Sequence, residues 1–169
     1  GQDFDANLSS PHPSIEATPA QLDGLPKEWL ASHPPGADGK VRVSTDYPDY
    51  FPVQTYAKDR KVALALYEQF DNRAADKNIT VLEKILALRA EKAKLLGYAT
   101  WADYVLEPRM AKNAKTVAAF LEGLKKHVAK KADLEMKEFR AMHAKLGGKV
   151  TDAIAPSDRV YLEDQLRKS

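Results

Sequence analysis

The sequence predicts a mainly α fold, an irregular helical bundle with one short strand near residues 40–45. Apolar residues make up 44% of the 169 positions and charged residues 30%, a mixture typical of amphipathic helices. Beyond Phe51, apolar residues recur at helical spacing with brief interruptions, whereas eight of the ten prolines lie within residues 1–52. We therefore expect a loop-rich arm over residues 1–52 and a helical body over residues 53–169 that forms one structural unit, part of a larger domain.

Short elements are expected in the arm. Residues 1–17 show no periodicity and predict extended chain, while Thr18 to Gln21 has the spacing of a capping box and predicts a short helix that stops at Gly24. Lys40 to Ser44 alternates polar and apolar residues, which predicts a strand whose partner must come from elsewhere. The aromatic and proline run Tyr47–Pro52 predicts a loop. This run and Tyr56 form an aromatic cluster of Tyr47, Tyr50, Phe51 and Tyr56. The favoured interpretation is that the cluster packs the loop onto the helical body, and the alternative is that it lines a ligand groove.

Five helices are predicted in the body, each from an apolar stripe bounded by start and stop signals. They run from about Asp59 to Ala74, from about Ile79 to a stop at Gly97, from Thr100 to Leu106, from Asn113 to Gly147-Gly148, and from near Pro156 to the end of the chain. The fourth carries a long stripe that we expect to be buried: Val117, Phe120, Leu121, Leu124, Val128, Ala132, Met136, Phe139 and Met142.

Composition excludes several classes of protein. The chain has no cysteine, so disulfide frameworks, thiol catalysis and thiolate zinc sites are excluded. No run of about 18 apolar residues exists, so no membrane-spanning helix is expected, and residues 1–5 do not resemble a signal peptide. A cytoplasmic location is expected, and the absence of cysteine also fits the periplasm.

Catalytic and metal-binding motifs are missing from the sequence. The four histidines, at positions 12, 33, 127 and 143, form no His-Glu-x-x-His pair, and His127 and His143 lie about 160° apart around their helix. We expect surface or boundary histidines, with His12 and His33 as the weak alternatives for metal ligands. The helical carboxylates are expected in i,i+4 pairs with lysines; these are Glu83, Glu91, Glu135 and Glu138. We therefore assign no catalytic, cofactor-binding or metal-binding residue.

Charge is distributed unevenly along the chain. Residues 1–50 hold eight acids and three Lys/Arg, a net of −5, and residues 112–149 hold ten Lys/Arg and four acids, a net of +6. Nucleic-acid binding favours aromatic residues among the basic ones, but Phe120 and Phe139 belong to the stripe expected to be buried. A solvated basic face is the favoured interpretation, with an anionic partner or membrane contact as alternatives, and we predict neither nucleic-acid nor membrane partners.

A series of short blocks lies in order between about residues 15 and 146. The blocks are Gly24-Leu25-Pro26, Val43 to Val53, Asn72-Arg73-Ala74, Asn78, Leu82 to Ile85, Leu88 to Ala93, Leu95 to Tyr98, Ala102 to Leu106, Arg109-Met110-Ala111, Thr116-Val117-Ala118 and Phe120-Leu121. In order and spacing they resemble the thimet oligopeptidase family, which includes neurolysin and bacterial oligopeptidase A. No single block is decisive, but their order makes chance an inadequate explanation.

The resemblance implies an almost wholly helical, channel-containing zinc metallopeptidase that cuts short peptides. In that family zinc is held by a His-Glu-x-x-His helix and a further downstream Glu, and the motif's own Glu acts as general base. None of these positions exists here, so the resemblance implies a non-catalytic N-terminal fragment that lacks its catalytic half and holds no zinc itself. The strand without a predicted partner and the uncapped last helix agree with that picture, which also predicts an exposed apolar face and dimerisation through it. The alternative is a stand-alone helical module that binds peptides or proteins without cutting them.

Overall fold

The computed structural model describes residues 1–9 and 12–169 and is mainly α-helical, as predicted. The helices are α1 Gln2–Leu8, α2 Lys27–Ser32, α3 Tyr47–Tyr56, α4 Arg60–Asp71, α5 Ala75–Leu95, α6 Trp101–Leu106, α7 Ala114–Lys145 and α8 Arg159–Lys168; the strands are β1 Ser14–Ala17 and β2 Val41–Ser44. Two compact units divide the chain: a first unit of residues 1–7 and 74–135, and a second unit of residues 8–73 and 136–169.

The predicted strand is present as β2, but the expectation that its partner lies outside the chain was wrong. β1 pairs with β2 in antiparallel register, with Ile15 opposite Val43 and Ala17 opposite Val41. Extended chain was correctly expected for residues 14–17, although not their pairing. Residues 2–8, expected to be extended, form α1 instead, and positions 10 and 11 lie outside the described residues.

One apolar core fills the second unit and joins the arm to the helical body. Its members come from both sides of residue 52 and include the buried side of the β1–β2 pair and one face of α4; they are Ala17, Leu22, Leu25, Trp29, Val41, Val43, Tyr50, Val53, Ala57, Val62, Ala63 and Leu66. The buried amide of Gln54 donates to the carbonyl of Ala63 at 2.8 Å and ties α3 to α4. Burial of these side chains is the main favourable contribution to the unit's stability.

The segment Tyr47–Tyr56 is helix α3, so the predicted loop was wrong. Pro48 lies in the first turn, where its missing N–H costs no helical hydrogen bond. Pro52 lies inside the helix and cannot donate to the carbonyl four residues earlier, which belongs to Pro48. The indole Nε1 of Trp29 donates to that carbonyl at 3.3 Å, so a distant side chain satisfies the group that Pro52 leaves free.

Arg60, at the start of α4, holds the C-terminal segment against the second unit's core. Its Nε donates to Asp158 Oδ1 at 2.9 Å and its Nη2 to the carbonyl of Ser157 at 2.6 Å. Its Nη1 reaches the carbonyl of Ala57 at 3.0 Å, and the guanidinium lies 4.5 Å from the ring centroid of Tyr161. The predicted last helix is confirmed as α8, and this cluster fixes where it starts.

The first unit, which is described throughout, contains little buried surface. Of its residues only Asn78 and Ala93 are buried. Asn78 donates to the carbonyl of Phe4 at 3.1 Å and accepts from the amide of Asn7 at 2.9 Å, which attaches α1 to α5. Near the C-terminal end of α5, Lys92 Nζ lies 5.6 Å from the ring centroid of Trp101 in α6. Polar contacts and half-exposed rings therefore hold this unit together.

Candidate functional site: two open helix faces

The histidines do not meet one another. His12 pairs with Asp46, His33 Nε2 lies 2.9 Å from Asp49 Oδ1, and His143 Nε2 lies 3.2 Å from Asp152 Oδ2, while His127 is exposed. Among residues 1–9 and 12–169, no three His, Asp or Glu side chains are grouped so as to hold a metal ion. The described residues therefore do not fit the zinc site that the family resemblance implies.

Ser44, His33 and Asp49 form a network that superficially resembles a nucleophile triad. Asp49 lies in the middle: Ser44 Oγ donates to its Oδ2 at 2.6 Å, and His33 Nε2 faces its Oδ1. A nucleophilic serine needs the imidazole rather than the carboxylate as its direct partner. The ring of His33 also stacks on Trp29 at 3.9 Å, which makes the network a clamp between α2, β2 and α3.

A cleft of about 520 Å³ opens beside the start of α3 and is lined by His12, Thr45, Asp46, Tyr47, Pro48 and Arg73. The hydrogen bond with His12 is the main reason that the pKa of Asp46 lies below its ordinary value, and Arg73 adds to that effect. Arg73 also lies 3.7 Å from the ring centroid of Phe70. The charged groups of this cleft offset one another, so it does not single out a class of ligand.

Members of the aromatic cluster predicted around Tyr47 pack α3 against α4, and Tyr47 also lines the cleft described above. Tyr50 stacks on Phe70 at 4.0 Å between centroids, and Tyr47 lies 6.0 Å from the same ring. Burial raises the pKa of Tyr50 to about 12, with the nearby Asp71 carboxylate contributing to the shift. The favoured interpretation, in which the cluster fastens its segment to the helical body, describes this packing, except that the segment is a helix.

The predicted network of carboxylate and lysine pairs is only partly present. Four glutamates were expected to pair with lysines. In the described part of the chain one of them, Glu135, forms an ion pair, with Lys131 at 3.5 Å. Both side chains are more than half exposed, so the pair contributes little stability. The lysines of α7 are exposed. No helix in the described ranges is long and apolar enough to cross a membrane.

Two apolar stripes in the first unit lie open to solvent. On α5, Ile79, Leu82 and Leu86 recur at spacings of three and four residues and are 45–61% exposed. On α7, the predicted stripe is exposed where it was expected to be buried: Phe120 is 68% exposed and Leu124 46%. Monomeric proteins rarely leave such stripes uncovered. They are the candidate functional surfaces of this chain, and an exposed apolar face was predicted from the sequence.

The C-terminal part of the α7 stripe behaves differently from its open part. Met142, which belongs to the second unit, is 6% exposed. Within the first unit the predicted stripe is open at Phe120, Leu121, Leu124 and Val128.

Comparison with known proteins identifies the family. The chain matches peptidase family M3 over residues 53–169. It is 32% identical over 162 residues to oligopeptidase A of Escherichia coli and 31% identical over 162 residues to oligopeptidase A of Salmonella typhimurium, with 88% of the chain and 23% of each relative covered. It is 30% identical over 164 residues to saccharolysin of Saccharomyces cerevisiae, with 94% of the chain and 23% of that relative covered. The chain thus spans about a quarter of the length of these relatives, and it belongs to peptidase family M3.

Proposed function

We propose that this chain is a non-catalytic segment of a zinc-dependent oligopeptidase whose longer polypeptide hydrolyses internal bonds of short peptides. Membership of peptidase family M3 supports the reaction class, and the names of the oligopeptidase relatives support short peptides as substrates. The proposal that the chain itself is non-catalytic is supported by one observation: residues 1–9 and 12–169 contain no group of side chains that could hold a metal ion. We assign the zinc and the chemistry of hydrolysis to family residues outside positions 1–169.

The role of the segment in such an enzyme is structural. The second unit supplies a packed core, and the first unit presents helices α5 and α7 with open apolar stripes. We propose that the remaining family polypeptide covers these stripes, since relatives about four times as long contain the same segment. Covering apolar side chains stabilises the assembly by about 25 cal/mol for each Å² removed from water.

A peptidase assay tests the proposal directly. The isolated chain and a longer polypeptide that includes the catalytic residues would be given a fluorescence-quenched short peptide, with zinc added and with a chelator as control. We expect turnover only from the longer polypeptide, with far-UV circular dichroism establishing that the isolated chain is folded. Chelator-sensitive turnover by the isolated chain would refute the non-catalytic assignment.

The alternative function is a stand-alone helical module that binds peptides or proteins without cutting them, and the open stripes favour it. The two functions predict different genes. A His-Glu-x-x-His codon run downstream of the Ser169 codon supports the oligopeptidase segment, and a stop codon there supports the module.

The isolated chain is also expected to self-associate, and α5 is the more suitable helix for this contact. Its stripe has acidic residues near one edge, Asp76 and Glu83, and Arg89 near the other, so two parallel copies bring opposite charges together. Sedimentation velocity should show a dimer that Leu86→Glu converts to monomer. A monomeric parent chain would contradict this expectation.

A further inference from the structure

Four neighbouring residues form an open part of the α7 stripe. Phe120, Leu121, Leu124 and Val128 fall within an arc of about 100° at 100° per residue, a width typical of an apolar stripe that packs against a neighbouring element. Each of the four is at least 46% exposed. Lys131 lies on the same line one turn beyond Val128, and Met136 of the predicted stripe is 39% exposed beyond it.

Basic side chains border this stripe. Lys125 lies on one edge, about 100° from Leu124, and His127 and Lys130 lie on the other. Between positions 120 and 131 there are four lysines and one glutamate, a net of +3 with His127 neutral. The glutamate, Glu122, lies about 160° from Leu124 and so does not border the stripe. A partner that covers these apolar residues therefore meets positive charge on both sides.

We propose that the stripe of Phe120, Leu121, Leu124 and Val128 docks an amphipathic helix with acidic flanks, supplied by the family polypeptide outside residues 1–169. The inference rests on the proposed function, which provides that polypeptide. Apolar residues at heptad spacing fill such a stripe, and flanking glutamates pair with Lys125 and Lys130 in the manner of charged coiled-coil positions. Complementary charge selects the partner and its orientation more than it adds affinity.

A second copy of the chain and a membrane surface fit this stripe less well. Two copies of α7 would bring two net charges of +3 together, which disfavours the contact. A helix lying in a membrane interface keeps its charged residues off the apolar face, whereas Lys131 and Glu135 lie on the line of this stripe and form a pair with each other at 3.5 Å. From Phe120 to Val128 the open stripe is about two and a half turns long, which suits the docking of one helix.

Two labelled peptides test the proposal against the intact chain. One is an amphipathic helix of about three heptads with Leu at the inner positions and Glu at the flanking positions, and its twin carries Lys at the flanks. In fluorescence anisotropy at low salt we expect the Glu peptide to bind at least about tenfold more tightly than the Lys peptide, with a difference that shrinks as salt rises.

Substitutions locate the binding. Leu124→Asp should weaken binding of the Glu peptide by at least about tenfold, and so should Phe120→Asp. Lys126→Ala, on the opposite side of the helix, serves as the matched control and should change the affinity less than about twofold. Lys125→Glu combined with Lys130→Glu should reverse the preference between the two peptides. Because these side chains are exposed, circular dichroism should show unchanged helix content in each variant.

Several outcomes would overturn the proposal. These are equal affinity for both peptides, affinity unaffected by Leu124→Asp and Phe120→Asp, a dimer that Leu124→Asp abolishes, or binding to phosphatidylserine-containing vesicles without binding to the Glu peptide. None of them depends on turnover. Failure of the docking proposal is therefore distinguishable from failure of the peptidase assay.

Discussion

Replacing Arg60 is the sharpest test of how the second unit is held together. Its guanidinium donates to Asp158, to the Ser157 carbonyl and to the Ala57 carbonyl, and its side chain is 23% exposed. Arg60→Ala removes all of these hydrogen bonds at once and leaves the largely buried carboxylate of Asp158 without its cation.

The expected cost follows from these contacts. A hydrogen bond to a charged group contributes about 1.5–3 kcal/mol, but contributions within one cluster do not add. Breaking a fully buried ion pair from one side costs about 3–5 kcal/mol, and partial exposure of this pair reduces that figure through solvent screening. We therefore expect Arg60→Ala to lower the free energy of unfolding by about 2–3 kcal/mol. Arg60→Lys should lose most of the same amount, because an ammonium group cannot reach three acceptors held in a fork.

Urea unfolding, followed by circular dichroism and tryptophan fluorescence, measures the change. The matched control is Arg159→Ala, which breaks a pair with Glu163 of 3.7 Å on the exposed side of α8 and should cost less than about 0.5 kcal/mol. If Arg60→Ala and Arg159→Ala were equally mild, the assignment of Arg60 as the link between α4 and the C-terminal segment would be wrong.

Three further predictions concern single positions in the second unit. Gly24 has φ of +101°, and an added Cβ would lie 2.2 Å from the carbonyl oxygen of Tyr56, so Gly24→Ala should lower the free energy of unfolding in urea by about 2–4 kcal/mol. Its control is Gly39→Ala, which has a positive φ but open space around the added Cβ and should lower that free energy by about 1–2 kcal/mol. Equal losses for the two variants would show that the close approach to Tyr56 does not matter. The raised pKa of Tyr50, about 12, means that its contribution to stability is complete below the unfolded value of about 10 and is lost as pH rises from there towards 12. Tyr50→Phe should therefore flatten the fall in unfolding free energy above pH 10, and an unchanged slope would contradict the burial argument. The pKa of Asp152 lies below its ordinary value of 3.8 because the Lys149 amide and then His143 donate hydrogen bonds to it, so its contribution is present above that value and is lost as pH falls through the lowered pKa. Acid unfolding of Asp152→Asn should lack this part of the pH dependence, and a profile identical to the parent's would count against it.

The helices of the body could be predicted because their signals are local. Asp59, Thr100 and Asn113 each accept a backbone hydrogen bond within the first turn of the helix that follows, as their positions in the sequence suggested. Gly97 and Gly147 have the positive φ expected of residues that end helices. Such signals involve residues two to four positions apart, so a single sequence contains all the information they need.

Features that depend on distant residues were missed. β1 is four residues long and becomes a strand by pairing with residues 24 to 30 positions away, so its own pattern is too short to reveal it. α3 contains two prolines that predict a loop, and in the helix Trp29 satisfies the carbonyl of Pro48 from 19 positions away. Likewise, no local pattern joins His33 to Asp49 or Arg60 to Asp158. Exposure of the α7 stripe was also missed, because periodicity identifies an apolar face but not whether anything covers it.

The difference in burial between α4 and α5 leads to a last prediction, about the protection of their amide hydrogens from exchange. Packing and helix length favour different helices in this respect. α5 has 21 residues and α4 has 12, so intrinsic helix formation alone favours protection of α5. α4, however, buries Val62, Ala63 and Leu66 in the core, whereas of the α5 residues only Asn78 and Ala93 are buried. Because tertiary packing supplies most helical stability in proteins, amide hydrogens of α4 should exchange by near-global opening and those in the middle of α5 by local opening, at least about tenfold faster. Hydrogen exchange with mass spectrometry, on the chain at a dilution where it is monomeric, resolves the two helices. Equal or greater protection of α5 under these conditions would mean that its apolar stripe is already covered, and the self-association contact expected on α5 would then have to be reconsidered.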